Sequence, residues 1–222
     1  PPATVKQDHL GQRFDAVYVG TGDRESPLRT DGTDMMFMIK DLELGLSSSA
    51  ATIAFRTGTA ASDFYDLTAN LIETGSADQR AAAKEAIRVQ AGWVMKLEVG
   101  GVAGGEKVVN APSVFYNVLR FGTYSPVATA SECVPPGKGT MYSLDARDGR
   151  IVADTNHDGV VNTSDSRAFS DFVIRGFPSD STLVFREGKI WDVSCADGNC
   201  RIEKIGTAGA GQRAYWFQEP ER

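Results

Sequence analysis

The chain has 222 residues, enough for one large domain or part of a bigger one. Its apolar content of 41% and charged content of 23% are those of a soluble globular protein. A net charge of −6 argues against nucleic acid, whose phosphates demand a basic face, and no run is long or apolar enough to span a bilayer. No signal peptide is present, and the start at Pro1-Pro2-Ala3 reads as a cut boundary rather than a native start.

In chain order, most of the sequence reads as short strands and turns. Phe14–Val19 is rich in β-formers and runs into a turn at Gly20-Thr-Gly-Asp23. Met35–Ile39 is a short apolar run that suits a buried strand. The stretch from Ser47 to Ala61 is small and polar around Thr52-Ile-Ala-Phe55 and reads as an insertion or long loop. One helix is predicted over about 76–91. Ser76-Ala-Asp-Gln79 is a capping box, Asp78 suits the positive end of the helix dipole, and Gly92 can close the helix. Its apolar face (Ala83, Ala86, Ile87 and Gln90) is thin, so the helix should lie on the outside of a β body.

Strands resume at Trp93–Val99, Lys107–Asn110 and Pro112–Tyr116, reverse at Asn117, and return through Val118–Tyr124. Thr140–Asp145 ends in the turn Ala146-Arg-Asp-Gly149, and Ile151–Ala153 follows. Leu183–Arg186 and Lys189–Val193 form a hairpin across Glu187-Gly188. Arg201–Ile205 and Arg213–Phe217 close the chain. Short strands in hairpin order predict an all-β sandwich, barrel or propeller. The unit of strand, Leu-Asp-x-x-x-Gly and strand at Tyr142–Val152 favours a propeller blade. At ~40–45 residues per blade the chain would be part of a ring rather than a closed one.

The chemistry is concentrated in Asp154-Thr-Asn-His-Asp-Gly-Val-Val-Asn-Thr-Ser-Asp165. Counted from Asp154, oxygen-bearing side chains fall at positions one, three, five, nine and twelve: Asp154, Asn156, Asp158, Asn162 and Asp165. Gly159 stands at position six, where the loop must turn sharply, and Val160 at position seven can offer its backbone carbonyl. This is the ligand spacing of an EF-hand-type loop. Ca²⁺ is a hard, large cation that takes six or more oxygens, several of them anionic. Without an ion the carboxylates repel, so an empty loop should be loose. The competing reading is a surface turn of Asx motifs. Position twelve is Asp rather than the longer Glu, and there is no second loop of this kind, which suggests a structural or extracellular site. His157, at position four, should face solvent.

Of the three cysteines, Cys195 and Cys200 flank Ala-Asp-Gly-Asn and could staple a hairpin, implying an oxidising compartment. Two buried thiols, or half of a zinc site, are the alternatives. Cys133 would then be odd, paired with something outside this chain.

The residues resemble a family. Asp15-Ala-Val-Tyr-Val-Gly-Thr-Gly-Asp-Arg-Glu-Ser-Pro-Leu28 is similar to the turn-rich signature of PilY-type proteins of type IV pili. Gly92–Leu97, Gly105–Val109 and Ala111–Phe115 are similar to the strands that follow it there, and the loop falls where that family carries its calcium site. The resemblance runs from about Asp15 to Trp216 and is patchy across Ser47–Gly75. It implies a modified β-propeller, residues 1–222 being a C-terminal segment of it. It also implies a calcium-binding, non-enzymatic protein of the pilus tip or outer cell surface, secreted through the periplasm. Its roles would be pilus assembly, extension against retraction, adhesion and twitching motility, with minor pilins and a host or surface receptor as partners. Carried over by position, the ligands would be Asp154, Asn156, Asp158, the Val160 carbonyl and Asn162. The family often has Asp at that ninth position; here Asn162 would bind through its amide oxygen or a water, with Asp165 supplying the missing charge. The chain has no Arg-Gly-Asp tripeptide, so integrin binding is not supported.

Two other classes compete. Met141–Asp145 with Gly149 is similar to blades of quinoprotein dehydrogenases, but those hold their ion with the quinone in a central funnel, and fold analogy does not carry an activity. The chain has two histidines and neither sits in a nucleophile context such as Gly-x-Ser-x-Gly. The loop is also similar to that of a dockerin, a module that needs two loops, each feeding a helix. Trp191, Tyr215, Trp216 and Phe217 could form a ligand platform or pilin interface, but blade core is the simpler reading.

Overall fold

The computed structural model describes residues 3–42, 63–99, 102–126, 137–169, 174–196 and 199–207. The chain is mostly β. Strands β1 (Ala3–His9), β2 (Gln12–Gly20), β3 (Met35–Asp41), β4 (Tyr65–Asp66) and β5 (Gly92–Lys96) form a first sheet in the order β1-β2-β3-β5-β4. All its pairings are antiparallel except β4 with β5. The period-two burial of Phe14, Ala16 and Tyr18 on β2 and of Met36 and Met38 on β3 sets the inner face. Strand β1 is absent from the sequence reading because its alternation, Ala3, Val5, Gln7 and His9, fades into polar residues.

Two helices, α1 (Leu71–Thr74) and α2 (Ala77–Val89), follow β4. The capping box forms as expected: Ser76 Oγ accepts from the Gln79 amide at 3.2 Å, and Gln79 Oε1 accepts from the Ser76 amide at 2.8 Å. Ala83 and Ile87 are the side chains that α2 buries. Gly92 does not close the helix. It opens β5 at φ 150°, where an added Cβ would lie 1.9 Å from the Met38 carbonyl oxygen. The carbonyls at the helix end are met by the Lys40 ammonium, which donates to Ile87 O and, at 3.2 Å, to Arg88 O.

Strands β6 (Glu98–Val99) and β7 (Val102–Ala103) make a short ribbon. A second sheet, ordered β12-β11-β10-β8, takes β8 (Lys107–Val108), β10 (Val118–Pro126), β11 (Gly137–Asp145) and β12 (Ile174–Arg175), with β9 (Ser113–Phe115) also paired to β10. The expected reversal at Asn117 is a two-residue turn, Tyr116-Asn117, with both φ positive (48° and 61°). Lys107 is buried, its ammonium donating to the carbonyls of Pro27, Arg29 and Gly105 at 3.2, 3.0 and 2.7 Å. That contact fixes the long turn after β2, in which Asp23 accepts from the Glu25 and Ser26 amides.

The first two sheets share one core. Leu119, Phe121, Leu144 and Ala146 of the second lie in the same apolar cluster as Trp93, Tyr18 and Met38 of the first. Its polar seam is the Ala146 carbonyl, which accepts from the Tyr18 hydroxyl at 3.0 Å and the Trp93 indole at 3.3 Å. A third sheet holds β13 (Thr182–Arg186), β14 (Lys189–Ala196) and β15 (Asn199–Thr207), with the expected turn at Glu187-Gly188. Cys195 and Cys200 face each other across β14 and β15 and form a disulfide. Ser47–Ala61, Cys133 and Arg213–Phe217 lie outside the described residues.

Candidate functional site

The stretch 154–165 is an irregular loop leaving β11 and returning to it. Leu144 bridges Ile151 before the loop and Tyr142 bridges Ala168 after it. Neither flank is a helix, so the loop lacks the element a dockerin loop feeds.

Its turn is built by side chains reaching back to the main chain. The Asp158 amide donates to Asp154 Oδ1 at 3.2 Å and to Asn156 Oδ1 at 2.9 Å. The Gly159 amide donates to Asp154 Oδ2 at 2.8 Å, and the Val160 amide to Asp158 Oδ1 at 2.8 Å. Positions one, three and five therefore turn toward the same run of backbone. His157 (φ 61°) and Gly159 (φ 88°) take the left-handed conformation that tightens the turn. His157 is exposed, as expected. Asn162 Nδ2 donates to the Val160 carbonyl at 3.3 Å, while its Oδ1 accepts from the Ser164 amide at 2.7 Å.

Asp165 has a different task. Its Oδ1 accepts from the Thr155 amide at 2.8 Å and the Asn156 amide at 3.2 Å, and its Oδ2 from the Asn162 amide at 2.8 Å. It ties the two limbs of the loop. The amide hydrogen bonds, led by that from Asn162 and opposed in part by desolvation, hold its carboxyl below the ordinary carboxylate range.

The donor set suits a hard divalent cation: three carboxylates, two amide oxygens and one carbonyl. A carboxylate offers about four lone-pair sites; Asp154 has two engaged by the bonds above, and Asp158 has one, with a second taken by Asn156 Nδ2 at 3.2 Å, so capacity remains. The donors are not drawn together, however. Among the described residues no three His, Cys, Asp or Glu side chains converge closely enough to hold a metal ion. Asp154, Asn156 and Asp158 are engaged with the amides of Asp158, Gly159 and Val160, whereas Asp165 is engaged with those of Thr155, Asn156 and Asn162.

Two anchors, both missed by sequence reasoning, fix where the loop sits. Before it, the Ile151 amide donates to Glu73 Oε2 at 2.9 Å. After it, the half-buried Arg167 guanidinium donates to the Leu67 and Thr68 carbonyls at 2.9 and 3.1 Å. Both partners lie at β4 and α1, about a hundred residues away in sequence for Arg167; no local pattern signals a contact of that span. At the loop's outer side Val160 and Val161 are exposed.

No protein-family model matches the sequence, and no curated protein matches it. Among solved structures the chain is similar to the C-terminal domain of PilY1 from Pseudomonas aeruginosa, at a TM-score of 0.53 and 17% sequence identity. The match covers 94% of this chain and 44% of that one, so the chain spans less than half of the PilY1 structure's length. At this identity the likeness is one of fold.

Proposed function

We propose that this chain is a calcium-binding part of a type IV pilus protein, displayed outside the cell at the pilus tip or outer surface, and that it acts by binding rather than catalysis. The observation that carries the reading is the coincidence of the PilY1-like fold over nearly the whole chain with an EF-hand-spaced loop at 154–165. The Cys195–Cys200 disulfide supports an oxidising compartment. A modified propeller, of which these sheets are blades or part-blades, remains our reading of the architecture. Minor pilins, and a host or surface receptor, are the partner classes it suggests.

Asp154, Asn156, Asp158, the Val160 carbonyl and Asn162 would hold the ion, with Asp165 closing the loop behind them. The ion would supply the positive charge that lets these carboxylates share a small volume. The chain's own residues do the rest. Glu73 and Arg167 hold the loop's ends, and tightening between them would set the exposed pair Val160 and Val161 in one geometry. A partner that prefers that geometry binds better when the loop is ordered, and stabilises it in turn.

The test is Asp158→Ala. At calcium a hundredfold above Kd, linkage gives about 2.7 kcal/mol of added stability, a rise in Tm of several degrees for a chain this size. The variant should show none of that rise. A variant stabilised by calcium as strongly as the native chain would overturn the ligand assignment. In cells, the same substitution should alter pilus extension against retraction.

A further inference from the structure

Among the described residues the outer strands of the sheets are short or charged, with one exception. β4, β8 and β12 have two residues each, β1 carries Lys6 and Asp8, and β15 carries Arg201, Glu203 and Lys204. Edges of that kind resist pairing with another chain. β13 has five residues, no proline, no charge before Arg186 and no register shift against β14. Its turn sets which backbone groups face out. Glu187 (φ 53°) and Gly188 (φ 68°) both have positive φ, as in the two-residue hairpin that makes Arg186 and Lys189 a hydrogen-bonded pair. Alternation then turns the amides and carbonyls of Thr182, Val184 and Arg186 toward β14, and those of Leu183 and Phe185 outward. No strand among the described residues pairs with that side. Val184 is 40% and Phe185 54% exposed. The Phe185 ring packs edge-on against Phe115 at 5.8 Å, beside the exposed Tyr116.

We propose that β13 pairs antiparallel with β13 of a second copy of this chain about a two-fold axis at Val184, joining two three-stranded sheets into one of six strands. The strand is complementary to itself in that register. Leu183 meets Phe185 of the second copy, and Phe185 meets its Leu183, so the outward backbone groups face each other as hydrogen-bonded pairs. Val184 meets its own equivalent. Each apolar side chain of the strand thereby gains an apolar neighbour across the seam. Thr182 meets Arg186, which keeps the two arginines apart and sets each of them diagonal to the exposed Asp180 of the other copy. The axis is perpendicular to the sheet, so the Phe115 and Tyr116 rings of both copies lie on one side of the seam. A contact of this kind is isologous and closes at two copies. It rests on the third sheet alone and is independent of the calcium reading.

Sedimentation analysis of the full chain, at concentrations up to the high micromolar, tests this and should show a monomer–dimer equilibrium. Val184→Lys sets two ammonium groups opposite each other at an already exposed position, and should weaken dimerisation by about tenfold or more. Val89→Lys, at an exposed position on α2, is the control and should leave the equilibrium unchanged. Val184→Cys, oxidised, should crosslink position 184 to position 184 of the second copy, read by mass spectrometry, because directly opposed non-hydrogen-bonded residues have Cα atoms about 4.5 Å apart. A chain that stays monomeric throughout would overturn the proposal and leave the edge to a strand of another protein. A dimer as tight in Val184→Lys as in the native chain, or one that Val184→Cys does not crosslink, would overturn it equally.

Discussion

Arg120 Nε lies 3.1 Å from Asp192 Oδ2, and both side chains are buried, at 5% and 7% exposure. The pair joins β10 of the second sheet to β14 of the third, and Asp192 also accepts from the Ser181 hydroxyl. It is a charged contact that fixes the third sheet to the body of the chain. Removing one partner of a buried pair leaves an uncompensated charge and costs ~3–5 kcal/mol. Asp192→Ala should therefore lower stability by that order in urea unfolding. Replacing both residues with apolar side chains of similar volume should cost less than the single substitution. Equal losses would mean that the pair is not coupled.

Lys40 gives a pH dependence with a defined sign. Burial lowers its pKa from 10.5 to about 8, with a smaller push from the nearby Arg88. Between those two values the unfolded chain binds more protons than the folded one, so the Lys40 contribution to stability rises with pH across that window. The hydroxyls of the buried Tyr18 and the half-buried Tyr142 act oppositely. Desolvation raises both pKa values, so their contribution is present below about pH 10 and lost above it. Thermal melts from pH 7 to 10 should show the rise in the native chain and a flatter profile in Lys40→Met. An identical profile in the variant would remove Lys40 as its source.

Asp165 and Arg167 should govern the loop's order separately from the ion. The folded pKa of Asp165 is depressed, so its stabilising effect is present at neutral pH and lost as pH falls through that folded value. Asp165→Ala should speed hydrogen exchange at the Thr155, Asn156 and Asn162 amides without added metal. Arg167→Met should free the loop from Leu67 and Thr68 while leaving those three amide bonds in place, and should weaken calcium binding by a modest factor. Unchanged exchange in Asp165→Ala would contradict its role as the tie.

Much of this was legible in the sequence because the signals were local. The helix announced itself through Ser76 and Gln79, the third sheet through Glu187-Gly188, and the disulfide through the Cys195–Cys200 spacing. The loop's donor spacing was equally plain. What could not be read was where these pieces go. β1 lacked a clean apolar alternation, α1 was a single turn, and Gly92 served a close backbone approach rather than a helix end. The anchoring of the loop by Glu73 and Arg167 depends on side chains meeting across the fold. Such contacts leave no periodicity to detect.

Calorimetric titration of the chain with calcium, then with magnesium, addresses the central claim directly. The account predicts one saturable calcium site with affinity in the range of EF-hand-type loops, a much weaker response to magnesium because of its demand for near-octahedral geometry, and loss of the calcium heat in Asp158→Ala. No calcium binding at millimolar concentration, or binding unaffected by that substitution, would contradict it.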